Sequence, residues 1–292
     1  MFEEKFFALT NDGMFHYVMQ ESQYALKMLT ASLLSKQPDE ITSVEVKNPY
    51  DYGKCAGSKD IILDVKAVVN KDTVVNIEVQ VKAFKYWRYR SLYYAARMAA
   101  ETDPNRDYGS LPIIRQFSIL NYTFDRENPD FFSTYELRNV ESEKSFTDRF
   151  QISIMDLTQN RLATWDDAIY GRTLWADLFK ANSWEKLESL ALKSEVAKEV
   201  VEIMYKAVKD DETARFLTDR ELARKERISI REEGRMEGIA QGMKKGMEKG
   251  VDQGKKQLAL RLINNGVDLA LVKQTLGSDL PDDEFIESLR NN

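Results

Sequence analysis

The stretch Ile61-Ile62-Leu63-Asp64-Val65-Lys66-Ala67-Val68-Val69-Asn70-Lys71-Asp72-Thr73-Val74-Val75-Asn76-Ile77-Glu78-Val79-Gln80-Val81-Lys82 decides how this chain folds. Two runs rich in β-branched residues, 60–69 and 74–82, flank the polar Asn70-Lys71-Asp72-Thr73, which is the pattern of a β-hairpin. Side chains alternate along a strand, so Ile77, Val79 and Val81 share one face and Glu78, Gln80 and Lys82 share the other. The first row reads as core. The second lines up a carboxylate, an amide and a cation in an otherwise apolar strand. Whether Asp64 joins that row depends on register, because directly opposed residues point to the same face. Position 64 opposes 78 only if the loop has an odd number of residues, as a loop at 70–72 does. A two-residue loop at 71–72 turns Asp64 and Glu78 to opposite faces unless a bulge intervenes. The odd loop is the expectation.

Outward from the hairpin, residues 1–37 carry Phe15, Val18, Met19, Leu26, Leu29 and Leu33 at helical spacing, with Asn11-Asp12 placed to cap. Residues 41–48 read as a strand ended by Pro49, 84–101 as a helix, and 113–124 and 150–157 as further strands. From about residue 160 the pattern is helical, with several amphipathic helices across 184–225. A mixed α/β domain followed by a helical tail is predicted.

Two converging carboxylates, Asp64 and Glu78, suit magnesium or manganese, which prefer hard oxygen ligands. A metal held there lowers the pKa of bound water and neutralises charge on a phosphoryl group, with Gln80 or Lys82 placed to orient water or meet phosphate. The spacing alone fits equally well the polar side of an edge hairpin. Residues 82–97 hold Lys82, Lys85, Arg88, Arg90 and Arg97 without an acid, interleaved with Phe84, Tyr86, Trp87, Tyr89, Tyr93 and Tyr94. That is a local basic and aromatic patch fit for nucleic acid, with Lys85, Arg88 and Arg90 as phosphate contacts. Trp87, Tyr93 and Tyr94 read first as core. His16, on an apolar helix face, reads as a packed side chain.

The run Gly57-Ser58-Lys59-Asp60-Ile61-Ile62-Leu63-Asp64-Val65, then Asn76-Ile77-Glu78-Val79-Gln80, then Arg90-Ser91-Leu92-Tyr93-Tyr94, resembles the Rpn group of recombination-promoting nucleases, a PD-(D/E)XK nuclease family of transposases. Asn11-Asp12-Gly13-Met14-Phe15 is similar to that group's opening motif. The resemblance implies a restriction-endonuclease-like core, a mixed sheet flanked by helices, and metal-dependent DNA endonuclease activity. It matches Asp64 and Glu78 to the two acids and Gln80 to the position that holds lysine in the wider superfamily. It also implies the Val79 carbonyl as a metal ligand and an acid of the first helix as support. Asp12 is the candidate for that support, with a helix-capping role as its other reading and Glu21 as the alternative residue.

Glycines at 234, 238, 242, 246, 250 and 254 recur every four residues beside Met236, Ile239, Met243, Met247 and Val251. Such a segment is either a flexible linker or a helix that pairs closely with another helix, as in a homodimer. Residues 258–290 read as short helices separated by Gly266 and Gly277. The expected organisation is a nuclease-like domain over 1–180, a helical extension over 181–230, the glycine repeat over 231–257 and a small helical unit over 258–292.

Apolar residues make up 43% of the 292, enough for a core, and the formal net charge of −6 excludes a basic field over the whole molecule. Nucleic acid must therefore meet a local patch. One cysteine, Cys55, rules out an internal disulfide, and without a Cys/His cluster zinc is not expected. The first residues include acids and no long apolar run, unlike a signal peptide. No run of about 18 apolar residues predicts a membrane span, so a cytoplasmic setting is expected. A non-catalytic DNA-binding or assembly protein of the same fold is the rival reading, and RNA is a further substrate that the residues do not distinguish from DNA.

Overall fold

The computed structural model describes residues 5–47, 65–101, 107–277, 284 and 286. Asp64, Cys55, the run 57–63 and most of the last fifteen positions lie outside the described residues. Two compact units divide the chain, Met1–Ala223 and Arg224–Asn292.

The first unit begins with helix α1, Asp12–Glu21, whose N-cap Asn11 accepts a side-chain hydrogen bond from the Met14 N–H at 3.1 Å. Ser22 ends α1 and caps α2, Gln23–Leu33, by accepting from the Ala25 N–H at 2.9 Å. These caps satisfy amide groups that a helix start otherwise leaves orphaned. Met14, Phe15, Val18, Leu26 and Leu29 are buried at helical spacing, as expected, and His16 is fully buried among them.

Six strands form one sheet in the order β1-β2-β3-β4-β6-β5. They are β1 Val44–Val46, β2 Val65–Val69, β3 Thr73–Gln80, β4 Ile113–Leu120, β5 Phe132–Glu136 and β6 Phe150–Asp156. Strands β1, β2 and β3 pair antiparallel, β3, β4 and β6 pair parallel, and β5 closes the far edge antiparallel to β6. The hairpin has the odd loop. Val65 faces Ile77 and Val69 faces Thr73, leaving 70–72 as the turn. Asn70 and Lys71 both take positive φ, 50° and 67°. Asn tolerates that region better than most residues, and its side chain is held there. Oδ1 accepts from the Thr42 N–H at 2.8 Å and Nδ2 donates to the Glu40 carbonyl at 2.8 Å.

Strand β5 is absent from the sequence reading. Its core-forming signal is short, Phe131-Phe132 with Tyr135, and as an edge strand it alternates weakly, with every residue half-buried or exposed. The strand expected over 113–124 stops at Leu120.

Each strand of the central trio has two covered faces. Val75, Ile77, Phe117, Ile119 and Met155 join the cluster built with α1 and α2. The opposite face, with Val74, Ile114, Ile152 and Ile154, packs under α3, Trp87–Ala100, through Trp87, Ala95 and Met98. This crossover helix joins β3 to its parallel neighbour β4, as a βαβ unit requires.

Helices α4 Trp165–Ile169 and α5 Arg172–Lys180 follow β6, then α6 Trp184–Ala191 and α7 Glu195–Lys209. The position 180, expected as a domain boundary, falls inside the first compact unit. Leu187 and Leu190 of α6, Val200 and Met204 of α7, and Phe216 and Leu217 belong to the same buried cluster as α1 and α2. Their apolar stripes complete the first unit's core, and the compact unit runs to Ala223.

Helix α8, Asp211–Asn264, includes the whole glycine repeat. In the second unit it ends with Gly266 at φ 80°. The Gly266 N–H bonds to the Ile263 carbonyl and the Val267 N–H to the Leu262 carbonyl, a Schellman ending. Asp268 then caps α9, Leu269–Leu276. Ala259 and Val272 are buried between the two, with Leu262, Ile263 and Leu276 around them. Two of the short C-terminal helical segments expected are thus a helix end and a hairpin partner. The remainder lies outside the described residues.

Candidate active site

Glu78 stands on the α3 side of β3 with 4% of its surface exposed. A buried carboxylate needs a countercharge or donors, and it has both. Arg90 in the first turn of α3 places Nη2 2.6 Å from Glu78 Oε1. Gln80 Nε2 donates to the same oxygen at 2.9 Å and to the Val79 carbonyl at 3.2 Å. The strand alternation thus brings Glu78 and Gln80 together as expected. It does not bring Lys82, because β3 ends at Gln80 and Lys82 lies exposed in the turn before α3. Arg90, expected to contact phosphate or the active site, is half-buried against Glu78.

The Asn121 N–H donates to the Gln80 carbonyl at 2.8 Å. Backbone carbonyls alternate along a strand, so that of Val79 points the other way, toward the β2 side. Two oxygens of one short segment, the Glu78 carboxylate and the Val79 carbonyl, are hard donors of the kind magnesium takes. Among the described residues no group of three or more His, Cys, Asp and Glu side chains is arranged to hold a metal. Asp64, the second expected acid, lies outside the described residues.

Polar side chains that the sequence reading did not single out share this face. Ser118 on β4 is the register neighbour of Glu78, and Ser91 follows Arg90 on α3; each is 1% exposed. Neither hydroxyl has a hydrogen-bond partner among the described residues. Asn76 donates to Gln116 at 3.0 Å, extending the polar stripe across the sheet. Burial pushes the Tyr122 phenol up to about 12, with the charge of Glu78 adding to the effect and that of Arg90 opposing it. Asp156 ends β6 and is 2% exposed, yet it accepts from the Phe124 N–H at 2.9 Å and from Thr158 N–H and Oγ1 at 2.9 and 2.6 Å. Its bonds mark it as a cap and loop anchor. An acid or hydroxyl inside an apolar strand was the available signal for Ser118 and Asp156. Only the strand pairing reveals that Ser118 adjoins Glu78. Glu78, Gln80, Ser118 and Asp156 sit toward the carboxyl ends of the parallel strands, where ligands bind in open α/β sheets. A separate cavity of about 230 Å³ opens at the other strand ends, around Asp72, Ile113 and Arg115.

The remaining candidates scatter. Asp12 pairs with Arg220 Nη2 at 2.8 Å, while Asn11 Nδ2 donates to Glu221 at 3.2 Å. A Cβ on Gly13 would stand 2.9 Å from Leu217 Cδ2. The opening motif therefore docks α8 onto α1, which gives Asp12 a structural partner. Glu21 pairs with Lys206 at 3.3 Å at the surface. Lys85, in the turn before α3, and Arg88, on α3, are exposed, and the Arg88 guanidinium lies 4.6 Å from the Phe124 ring centroid. Tyr86, Tyr89 and Tyr93 are 54%, 72% and 61% exposed, so Tyr93 is surface and not core, while Trp87 is buried as expected.

The mixed sheet carries a crossover helix over a buried acid, Glu78, and a half-buried amide, Gln80, both late on the second strand of a hairpin, and this architecture is consistent with the PD-(D/E)XK nuclease fold. The family described as PD-(D/E)XK nuclease family transposase matches residues 10–233, and the chain belongs to that family. No curated protein and no solved structure matches it. No helix among the described residues is long and apolar enough to cross a membrane.

Proposed function

We propose that this chain is a divalent-metal-dependent endonuclease that hydrolyses DNA phosphodiester bonds. The observation that carries the reading is Glu78, a buried carboxylate held by Arg90 and Gln80 late on β3, in a hairpin with the loop 70–72. In this reading Asp64, Glu78 and the Val79 carbonyl hold magnesium or manganese. When bound, such an ion lowers the pKa of a water and neutralises charge on the phosphoryl group. Gln80 positions the attacking water or a phosphate oxygen through its amide. Arg90 neutralises Glu78 and meets the phosphate beside the cut. Lys85 and Arg88 hold the strand as it crosses α3, and Lys82 and Asp12 play supporting parts at most. Breaks made this way are starting points for recombination. The glycine repeat of α8, with Met236, Met243 and Met247 exposed beside it, pairs with a second copy to give a homodimer.

Plasmid cleavage by the purified chain with magnesium, manganese, calcium or EDTA tests the reading, alongside Asp64→Ala. Cutting that needs magnesium or manganese and is lost in the variant supports it. Cutting of RNA in place of DNA revises the substrate. DNA binding without cutting under any metal favours a non-catalytic DNA-binding protein of the same fold.

A further inference from the structure

The cavity at the starting ends of the parallel strands holds a charge that the fold leaves poorly matched. Arg115 stands on β4 in the same row as Phe117 and Ile119, which are buried in the core. Its ladder neighbours are Val75 on β3 and Gln151 on β6. Arg115 and Gln151, with Ser153 and Thr134, line the cavity of about 230 Å³, and so do Ser35 and Lys36, which follow α2. Most polar groups there have partners. The Thr134 and Ser153 hydroxyls meet at 2.9 Å, Gln151 donates to Glu136 at 2.9 Å, and Thr73 donates to Asp72 at 2.9 Å. The carbonyls in the last turn of α2 are taken as well. Thr30 accepts from the Leu34 N–H, Ala31 from the Lys36 N–H, and Ser32 from the Ser35 N–H and Arg172 Nε.

Arg115 is the exception. Its Nη1 donates to the Ile114 carbonyl at 3.1 Å. Its Nε and Nη2 meet no acceptor among the described residues, yet they keep accessible surface. Glu136, two strands away, is committed to Arg138 at 2.8 Å and to Gln151. Burial pulls the pKa of Arg115 below its ordinary value, and the charges of Asp148 and Glu136 oppose this without cancelling it. Arginine stays charged in proteins, and a half-buried charge without a close partner is costly.

We propose that this cavity is a binding site for a small oxyanion, a phosphate or carboxylate compound of few atoms, held on the Nε–Nη2 edge of Arg115. That edge presents two parallel N–H groups, the fork that matches two oxygens of such a group. Lys36 supplies a second cation. Its partner Glu40 is exposed and 3.6 Å away, and exposed pairs of this kind hold each other weakly. Asp72 also lines the cavity, so its walls carry two cations and one acid, which favours a ligand of low charge. The volume falls below the usual range of ligand pockets, about 300 Å³ upward, and this restricts the ligand to a small one. The site lies at the opposite strand ends from Glu78, and the proposal does not rest on the DNA reading.

The test is isothermal titration calorimetry of the full chain with sodium phosphate and, separately, sodium acetate, each against sodium chloride at equal ionic strength. Saturable binding of at least one above the chloride control is expected, and the tighter of the two identifies the headgroup as phosphate or carboxylate. Arg115→Gln should weaken that binding about tenfold or more, as loss of a charge-assisted pair of hydrogen bonds does. Lys36→Gln, at a side chain 42% exposed, should weaken it about two- to threefold and keeps the test informative if Arg115→Gln does not fold. Binding of neither anion above chloride, or an affinity that these substitutions leave unchanged, overturns the proposal.

Discussion

Glu78 is a carboxylate that the fold withdraws from water and then neutralises. Its side chain is 5% exposed, while that of its partner Arg90 is 32% exposed. Breaking such a pair from one side leaves a buried charge uncompensated, which costs about 3–5 kcal/mol in fully buried cases and less here. Arg90→Met is therefore expected to lower stability in urea denaturation by about 2 kcal/mol, scaled from that range for partial exposure. Adding Glu78→Gln should recover part of the loss, and a strictly additive double variant would show that the two groups do not interact. A second buried pair, Arg172 and Asp167 at 2.8 Å, is structural. Burial alone would raise the Asp167 carboxyl, but hydrogen bonds from Thr164 and Arg172 outweigh it and hold it below the ordinary aspartate range. A depressed folded value means that its stabilisation is present above the unfolded pKa, about 3.9, and is lost as pH falls toward the folded one. Asp167→Asn should lower the melting temperature at neutral pH and flatten its fall below about pH 4. A variant with the same acid limb as the parent would refute that assignment.

At the scale of elements, the hairpin turn is the part on which the site depends. The Asn70 side chain ties the turn to residues 40–43, and the backbone there is left-handed. Asn70→Ala should cost about 1–2 kcal/mol from lost hydrogen bonds, and Asn70→Gly should cost less because glycine adopts positive φ freely. Equal losses in thermal unfolding would mean that backbone conformation contributes nothing there. Much of this level was legible in the sequence. Period-two alternation in 74–82 separated Ile77 from Glu78, while the turn residues left two loop lengths open, of which the odd loop at 70–72 was expected and is found. The placement of Arg90 was not legible, because strand–helix packing sets which face of α3 meets Glu78. Nor was the surface position of Tyr93, since an aromatic residue at helical spacing reads the same whether its face is covered or not. Edge strand β5 escaped because one-sided burial leaves little pattern. Helices α6 and α7 were seen as helices, but their apolar stripes did not tell which core they join.

The whole molecule sets a well-packed first unit against a second in which helix α8 carries six glycines with open space around each. Alanine relieves about 1 kcal/mol per glycine in an isolated helix. Gly242→Ala with Gly246→Ala should therefore raise the helical circular dichroism signal. If a second copy packs there, as proposed, the added methyls should also weaken self-association in sedimentation. Tighter association of the variant would count against close pairing at the glycines. The central claim, a metal held at the hairpin, is tested most directly by titrating manganese into the parent chain, Asp64→Asn and Glu78→Gln and measuring bound metal, independently of cutting. The account predicts saturable binding by the parent and at least a tenfold loss of affinity, about 1.4 kcal/mol, in each variant. Equal binding by all three chains would place the metal elsewhere and contradict it.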